Sequence, residues 1–347
     1  MPLKLLIITQ KVDINDDILG FFHQWILEFS RRCELITVIC LQRGNYCLPE
    51  NVKVLSLGKE KQKSRSKYLI NFYKYIWHER KNYGTVFVHM NQEYVLLGWF
   101  LWKVLGKKIA FWRNHYAGNL FTRAAMMFSN HIFCTSKYSF TAKSKKTILM
   151  PVGIDTDLFK KKNNNARKNH SILFLARISP VKNPHLVIEA LRHVRDKGID
   201  FTADFYGNPL TQDIPYLDSL KEKVKNYQLS DCISFKKGIP NRETPRVYNA
   251  YEIFINPSPS GMYDKTIFEA MACESLVLTS NINLKGKIDE KFLFMENNED
   301  DLAKQLVRLL AIPFKKKEEL GKILRAFVVS NHSLTILGDK LAKCFAN

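Results

Sequence analysis

The sequence lacks every cysteine pattern that would crosslink a small fold or hold a structural metal. Its seven cysteines form no CxxC pair, and none is spaced with histidine as in a zinc finger. Because the count is odd and the cysteines are scattered, we expect reduced, mostly buried thiols. This usage excludes a disulfide scaffold and predicts a cytoplasmic protein.

No apolar run is long enough to cross a bilayer. The most apolar window, residues 94–105, contains Lys103 and is shorter than the roughly 20 residues that a spanning helix needs. The N-terminal run MPLKLLIITQ is too short for a signal peptide and predicts a first strand. We therefore expect a soluble protein, or one peripherally bound to the inner face of the plasma membrane.

Acidic residues are scarce, with 33 Asp and Glu against 53 Lys and Arg. Residues 1–150 contain 23 Lys and Arg against 9 Asp and Glu, whereas the remainder contains 30 against 24. A basic first half indicates an anionic partner, such as a membrane surface or a phosphorylated substrate. General basicity without a partner is the alternative. No nucleic-acid-binding motif accompanies the charge, so nucleic acid is not an expected partner.

Basic and aromatic residues adjoin in one part of the first half. Residues 58–67 hold five Lys and Arg, and a helix is predicted over residues 68–77 with Tyr68, Phe72, Tyr75 and Ile76 on one face. Basic residues next to aromatic ones favour binding to anionic lipid headgroups. A solvated loop before a core-facing helix is the alternative interpretation.

No internal repeat is present, and apolar strand patterns alternate with helical ones along the chain. This alternation predicts an α/β fold of two Rossmann-like, doubly wound domains that face each other across a cleft. We place the first domain at residues 1–155 and the second at residues 156–330. The polar residues 160–170 resemble a linker, and we expect a last helix within residues 331–347 to pack back toward the first domain.

The loop after the first predicted strand lacks a GxGxxG motif, so a dinucleotide site there is unsupported. This loop contains Gly20, which would let a ligand approach the backbone closely. An ordinary turn glycine explains it equally well. No DxD-type pair stands out as a metal site.

The second half is organised around the stretch INPSPSGMYDKTIFEAMACESLVLT, residues 255–279. It predicts a buried strand, a loop of small residues, a helix from about Lys265 to Cys273 capped by Asp264, and a second strand. The start of such a helix offers N–H groups and a positive dipole end to phosphate. Glu269, one turn further on, is predicted to face the same crevice.

Four motifs in residues 150–280 resemble one known family. These are PVGID with Phe159, the Arg177-x4-Lys182 pair, glycines at two predicted strand ends (Gly207 and Gly238), and Pro257-Ser258 followed by the run EAMA from Glu269. In this order they are similar to the nucleotide-sugar half of GT-B glycosyltransferases, group 1, of the retaining family 4. The first half resembles the family only in architecture, with Gly20 and His115 at matching places.

The resemblance implies a glycosyltransferase of the EC 2.4 class that transfers a sugar from a nucleoside-diphosphate sugar, with retention, to a glycan or lipid-linked acceptor. It implies no metal and no cofactor. His115 would contact the sugar, although a structural histidine is the alternative, and Arg177 and Lys182 would stabilise the leaving diphosphate. Further donor contacts are expected at Gly20, Gly207, Ile239, Asp264, Lys265, Thr266 and Glu269, the last of these on the ribose.

The chain departs from the family at one position. The family often has E-x7-E, and the place of the first Glu is Gly261 here. Asp264 and Lys265 are the nearest polar residues, and Lys265 would meet a phosphate or an acidic sugar, or serve only as a helix lysine. Two other functions stay open: a degenerate glycosyltransferase that only binds at a membrane, and a sugar-nucleotide epimerase of the same fold.

Overall fold

A computed structural model describes residues 3–162, 167–259 and 261–346. The described chain divides into two compact units. The first contains residues up to Gly153, the short segment Pro240–Arg242 and the residues from Leu334 onward. The second contains Ile154–Ile239 and Glu243–Ser333. The predicted linker falls partly on residues 163–166, which lie outside the described residues.

The first unit contains a parallel seven-stranded sheet in the order β3-β2-β1-β4-β5-β6-β7. The strands are β1 Lys4–Val12, β2 Leu35–Arg43, β3 Val52–Ser56, β4 Thr85–His89, β5 Lys108–Trp112, β6 His131–Cys134 and β7 Thr147–Leu149. Its helices up to this point are α1 Phe21–Ser30, α2 Arg65–His78, α3 Gln92–Val104 and α4 Leu120–Phe128.

Side chains alternate between the two faces of this sheet, as parallel strands covered on both sides require. Leu5 and Ile7 of β1 pack in one apolar cluster with Phe22 and Trp25 of α1. Their neighbours on the strand pack in a second cluster against α2, α3 and α4, which therefore cover the opposite face. Right-handed crossovers explain this division, because the chain moves outward in opposite directions from β1 and from β4.

The second unit contains a parallel five-stranded sheet in the order β10-β9-β8-β11-β12. The strands are β8 Ser171–Leu175, β9 Thr202–Tyr206, β10 Ile233–Lys236, β11 Ile253–Asn256 and β12 Leu276–Thr279. Its helices are α5 Pro184–Asp196, α6 Ile214–Asn226, α7 Thr244–Tyr248, α8 Lys265–Ala272, α9 Glu299–Leu310 and α10 Phe314–His332.

The last helix, α11 Leu334–Ala346, belongs to the first unit. Leu337 and Phe345 lie in the same apolar cluster as α1, and Arg32 forms a 2.8 Å ion pair with Asp339. The indole N–H of Trp25 donates to the carbonyl of Gly153 at 3.0 Å. This hydrogen bond holds Gly153, the last residue of the N-terminal segment of the first unit, against α1.

Two sheets of parallel strands with helices on their faces confirm the predicted α/β class. The predicted start of the helix after β3 was wrong. Helix α2 begins at Arg65 rather than near Tyr68, because the Ser64 side chain caps the helix by accepting from the backbone N–H of Lys67. Arg65 and Lys67 are therefore helical residues and not part of a loop. Within the described residues, no helix is long and apolar enough to span a membrane.

Candidate functional site

The candidate site lies at the carboxyl edge of the five-stranded sheet, where β8 and β11 are neighbours. From β8 the chain continues to β9 and β10 on one side, whereas β11 and β12 lie on the other. Loops that leave such a pair of strands diverge and open a crevice, which is where α/β sheets bind ligands. The loop after β8 contains Arg177 and Lys182, and the loop after β11 leads into α8.

An ion pair joins these two loops. The Lys182 ammonium lies 2.6 Å from Oδ2 of Asp264 and 3.3 Å from the Ser258 hydroxyl. Asn183 donates to the carbonyl of Pro257 at 3.2 Å and so ties the same loops together a second time. The predicted phosphate-binding lysine is thus already held beside the start of α8.

Asp264 is the N-cap of α8, as predicted. Its Oδ1 accepts from the backbone N–H of Thr266 at 3.3 Å and from the Thr266 hydroxyl at 2.9 Å. Burial raises the pKa of the Asp264 carboxyl, but the Lys182 ammonium outweighs this effect, and the pKa is well below its usual range. Both oxygens of Asp264 therefore have protein partners, so the geometry assigns it to holding Lys182 and the helix start.

Lys265 and Glu269 lie one turn apart on α8. Burial lowers the pKa of the Lys265 ammonium to about 7, although the negative charge of Glu269 raises it in part. Glu269 is only 3% exposed, and its Oε2 accepts from the Tyr248 hydroxyl at 3.0 Å. The expected ribose contact is therefore an interior carboxylate whose orientation is fixed by α7.

Gly207 has a steric requirement that the sequence could not show. A Cβ on Gly207 would lie 1.9 Å from the carbonyl oxygen of Ala176, at the end of β8. The absence of a side chain lets the ends of β8 and β9 approach each other. Arg177 follows directly and is exposed at this edge. Gly207 thus positions the segment that contains Arg177.

The next strand end is linked to the same edge. The side chain of Asn208 accepts from the backbone N–H of Gly238 at 3.0 Å, just before the half-buried Ile239. Asn208, Asn183, Ser258 and Tyr248 were not among the predicted site residues. Ser258 stood in the Pro257-Ser258 motif but was given no role, and the partners of Asn183 and Asn208 are 74 and 30 residues away, so spacing gave no signal for these two.

Gly261, which stands where the family often has Glu, has a backbone φ of +111°. L-residues with a side chain rarely adopt this conformation, so the position favours glycine. The loop therefore differs from the E-x7-E pattern in two ways. It lacks the first carboxylate, and its backbone at residue 261 has a conformation that favours glycine.

The opposite end of α8 is bound by two guanidinium groups. Arg167 donates to the carbonyls of Cys273 and Glu274, and Arg325 donates to the carbonyl of Ala272. Cations at a helix C-terminus satisfy its last carbonyls and oppose its negative dipole end. Both ends of α8 are thus held by side chains from outside the helix.

The remaining predicted residues, His115 and Gly20, belong to the first unit. His115 is exposed on the loop after β5, with Nδ1 3.0 Å from the backbone N of Ala117 and its ring stacked on Tyr116. Gly20 precedes α1, and a Cβ there would lie 2.4 Å from the carbonyl oxygen of Asp16. Close backbone packing therefore accounts for this glycine without a ligand.

The family match falls on the part of the chain that forms most of the second unit. Residues 155–326 match the family described as Glycosyl transferases group 1. This segment includes every predicted site residue except Gly20 and His115.

Two curated relatives each match about half of the chain or less. Alpha-monoglucosyldiacylglycerol synthase of Streptococcus pneumoniae is 30% identical over 164 residues, which are 46% of this chain and 36% of that protein. Spore coat protein SA of Bacillus subtilis is 25% identical over 186 residues, 50% of this chain and 48% of that protein. The chain thus spans less than half the length of either relative.

Among solved structures, Anabaena Alr3699/HepE in complex with UDP and glucose is similar with a TM-score of 0.77 and 15% identity, over 99% of both chains. Such similarity at low identity shows the fold. The chain thus has two parallel-sheet α/β domains, and its fold is the one seen in this structure.

Proposed function

We propose that the protein is a glycosyltransferase of the EC 2.4 class. It transfers a sugar from a nucleoside-diphosphate sugar to a glycan or lipid-linked acceptor of the cell envelope. The observation that supports this most directly is the joining of the Arg177–Lys182 loop to the start of α8 at the β8/β11 crevice. This is the arrangement of charge that a leaving diphosphate needs.

A nucleoside diphosphate gains negative charge on its leaving oxygen as the bond to the sugar breaks. In the proposed complex this negative charge is stabilised by the cationic side chains of Arg177 and Lys182 and by the first N–H groups of α8. Catalysis of this kind requires neither a metal nor a cofactor.

The other donor contacts follow from their places in the fold. In the proposed complex Glu269 accepts from the ribose hydroxyls, and Tyr248 fixes its carboxylate for this purpose. Ile239 lies against the base, and His115 of the first unit contacts the sugar. UDP is the first nucleotide to test, because the Anabaena structure contains UDP.

The acceptor and the stereochemistry are further parts of the proposal. The name of the Streptococcus relative includes a glycosylated diacylglycerol, which supports a lipid acceptor. We expect transfer with retention, because the motifs resemble the retaining family. A cytoplasmic location with peripheral membrane binding fits this acceptor, and all seven cysteines are free thiols.

We expect UDP, GDP or ADP to raise the melting temperature of the purified chain in the presence of EDTA. A ligand that binds only the folded state at 100 times its Kd adds about 2.7 kcal/mol to the free energy of unfolding. The matched control is uridine, which lacks the diphosphate. If no nucleoside diphosphate stabilises the protein, the donor site is wrong. If one stabilises it but no sugar is transferred or hydrolysed, the degenerate binding protein is correct instead.

We expect donor binding at pH 8 to take up close to one proton. With its pKa lowered to about 7, Lys265 is mostly neutral at pH 8. A diphosphate beside it favours the ammonium form and raises its pKa. Calorimetry of UDP binding in two buffers of different ionisation enthalpy measures this uptake. Lys265→Met is expected to abolish it, and an unchanged uptake in that variant would place the diphosphate away from Lys265.

A further inference from the structure

Three helices of the first unit, α2, α3 and α4, present an unusual surface to solvent. We define the outer face as their exposed side chains. Most soluble proteins expose large apolar side chains singly. Here Phe100 is 64% exposed, Val104 69% and Met127 64%. On α2, Ile70, Tyr73 and Trp77 are exposed as well.

Helical spacing shows why these side chains point outward together. Ile70, Tyr73 and Trp77 are three and seven residues apart and share one side of α2. Phe72 and Ile76, on the other side of the same helix, lie in the core beneath it. The helix is thus apolar on both sides, and only one of them is covered by the sheet.

Side-chain contacts join the three helices to one another. The Tyr73 hydroxyl of α2 donates to the carbonyl of Leu97 on α3 at 2.9 Å. Trp99 of α3 stacks on Phe128 of α4 with their ring centroids 4.1 Å apart. All three helices lie on the same face of the sheet, and each has exposed apolar side chains.

The charges on this surface have nearly one sign. The three helices contain five Lys and Arg and a single acidic residue, Glu93. Next to them, the Arg80 guanidinium lies 4.3 Å above the Trp77 ring. Basic side chains with long apolar stems, together with Trp and Tyr, are the residues that settle at the boundary between headgroups and hydrocarbon.

We propose that the outer face docks on an anionic lipid bilayer, with its apolar side chains in the headgroup region and its basic side chains on lipid phosphates. Charge complementarity decides between the occupants. A second copy would place basic helices against basic helices, which repel each other. Exposed aliphatic side chains such as Val104 and Met127 gain nothing from nucleic acid. Membrane docking would bring the proposed transferase to a lipid-linked acceptor, and in this respect alone it rests on the proposed function. Binding of the protein to vesicles can be measured without a nucleotide.

The test is co-sedimentation of the full chain with vesicles of phosphatidylcholine alone or with phosphatidylglycerol. We expect binding to the anionic vesicles that weakens as salt is raised. Phe100→Ser with Val104→Ser is expected to lower the partition coefficient about tenfold. The matched control is Phe314→Ser with Ile323→Ser on α10 of the second unit, two exposed side chains of similar size, which should leave binding unchanged.

Two pairs of lysine substitutions test which basic side chains contribute to vesicle binding. Lys74→Gln with Lys103→Gln is expected to weaken binding to anionic vesicles more than Lys61→Gln with Lys63→Gln. Equal loss in the α10 control, no binding to either vesicle, or self-association that Phe100→Ser with Val104→Ser removes would each overturn the proposal. Nucleotide-induced stabilisation of the same variants is measured in parallel. If it persists while vesicle binding is lost, the two proposals are separated.

Discussion

Replacing Lys182 by Ala is expected to lower kcat/KM for the donor by about 100- to 1000-fold. This is the usual effect of removing one group that stabilises charge on a leaving oxygen. The effect is expected to exceed that of a lost surface charge, because Asp264 then remains beside the diphosphate without its 2.6 Å partner. A free carboxylate at that place repels the anion that the helix start attracts.

The Asp264→Asn variant separates the charge of Asp264 from its capping role. Asparagine caps a helix about as well as aspartate, so α8 should persist. Lys182 would then be free of its anionic partner, and we expect nucleoside diphosphate binding to tighten several-fold. The double variant, Lys182→Ala with Asp264→Asn, should bind more tightly than Lys182→Ala alone. Isothermal titration of the four proteins forms a double-mutant cycle.

The cycle has one outcome that would contradict this account. If Asp264→Asn weakens donor binding as strongly as Lys182→Ala, Asp264 contacts the donor directly, as its place in the family motif implies. Neutralising Lys61 and Lys63, which removes two positive charges from the first unit, provides the control for general basicity. A similar loss in that control would show that general basicity, and not the ion pair, governs binding.

Local patterns predicted the elements of the site well. The helix after β11 and its cap at Asp264 were confirmed, because an Asp before a helical apolar pattern is a short-range signal. The pairing of Lys182 with Asp264 was not predicted. These residues are 82 positions apart, and they meet because β8 and β11 are neighbours in the sheet. Strand order is set by packing of the whole sheet, which no local pattern contains.

The sequence showed that Gly261 replaces a common Glu, and it suggested only that a carboxylate is missing. A φ of +111° shows that the backbone also follows a conformation that Glu would adopt only with strain. Restoring the family residue by Gly261→Glu would therefore distort the loop before it supplied a sugar contact.

The second large effect is expected for Gly207→Ala. The new methyl group would lie 1.9 Å from the carbonyl oxygen of Ala176, a backbone atom that moves only if β8 moves with it. We expect a loss of about 2–4 kcal/mol in the free energy of unfolding, the range for overpacking that forces a backbone shift. Urea unfolding measures this loss. Donor binding should weaken too, because Arg177 follows Ala176 directly.

Gly84→Ala is the matched control for this substitution. A Cβ at Gly84 would have no heavy atom within 4 Å, so the same chemical change should alter stability by less than about 0.5 kcal/mol. Equal effects of the two variants would mean that a Cβ on Gly207 does not meet the carbonyl oxygen of Ala176, and that the ends of β8 and β9 are not in close contact there. If Gly207→Ala lowers stability but leaves donor affinity intact, Arg177 does not touch the diphosphate. Stability and affinity together therefore test both the packing of Gly207 and the chemistry assigned to the segment it positions.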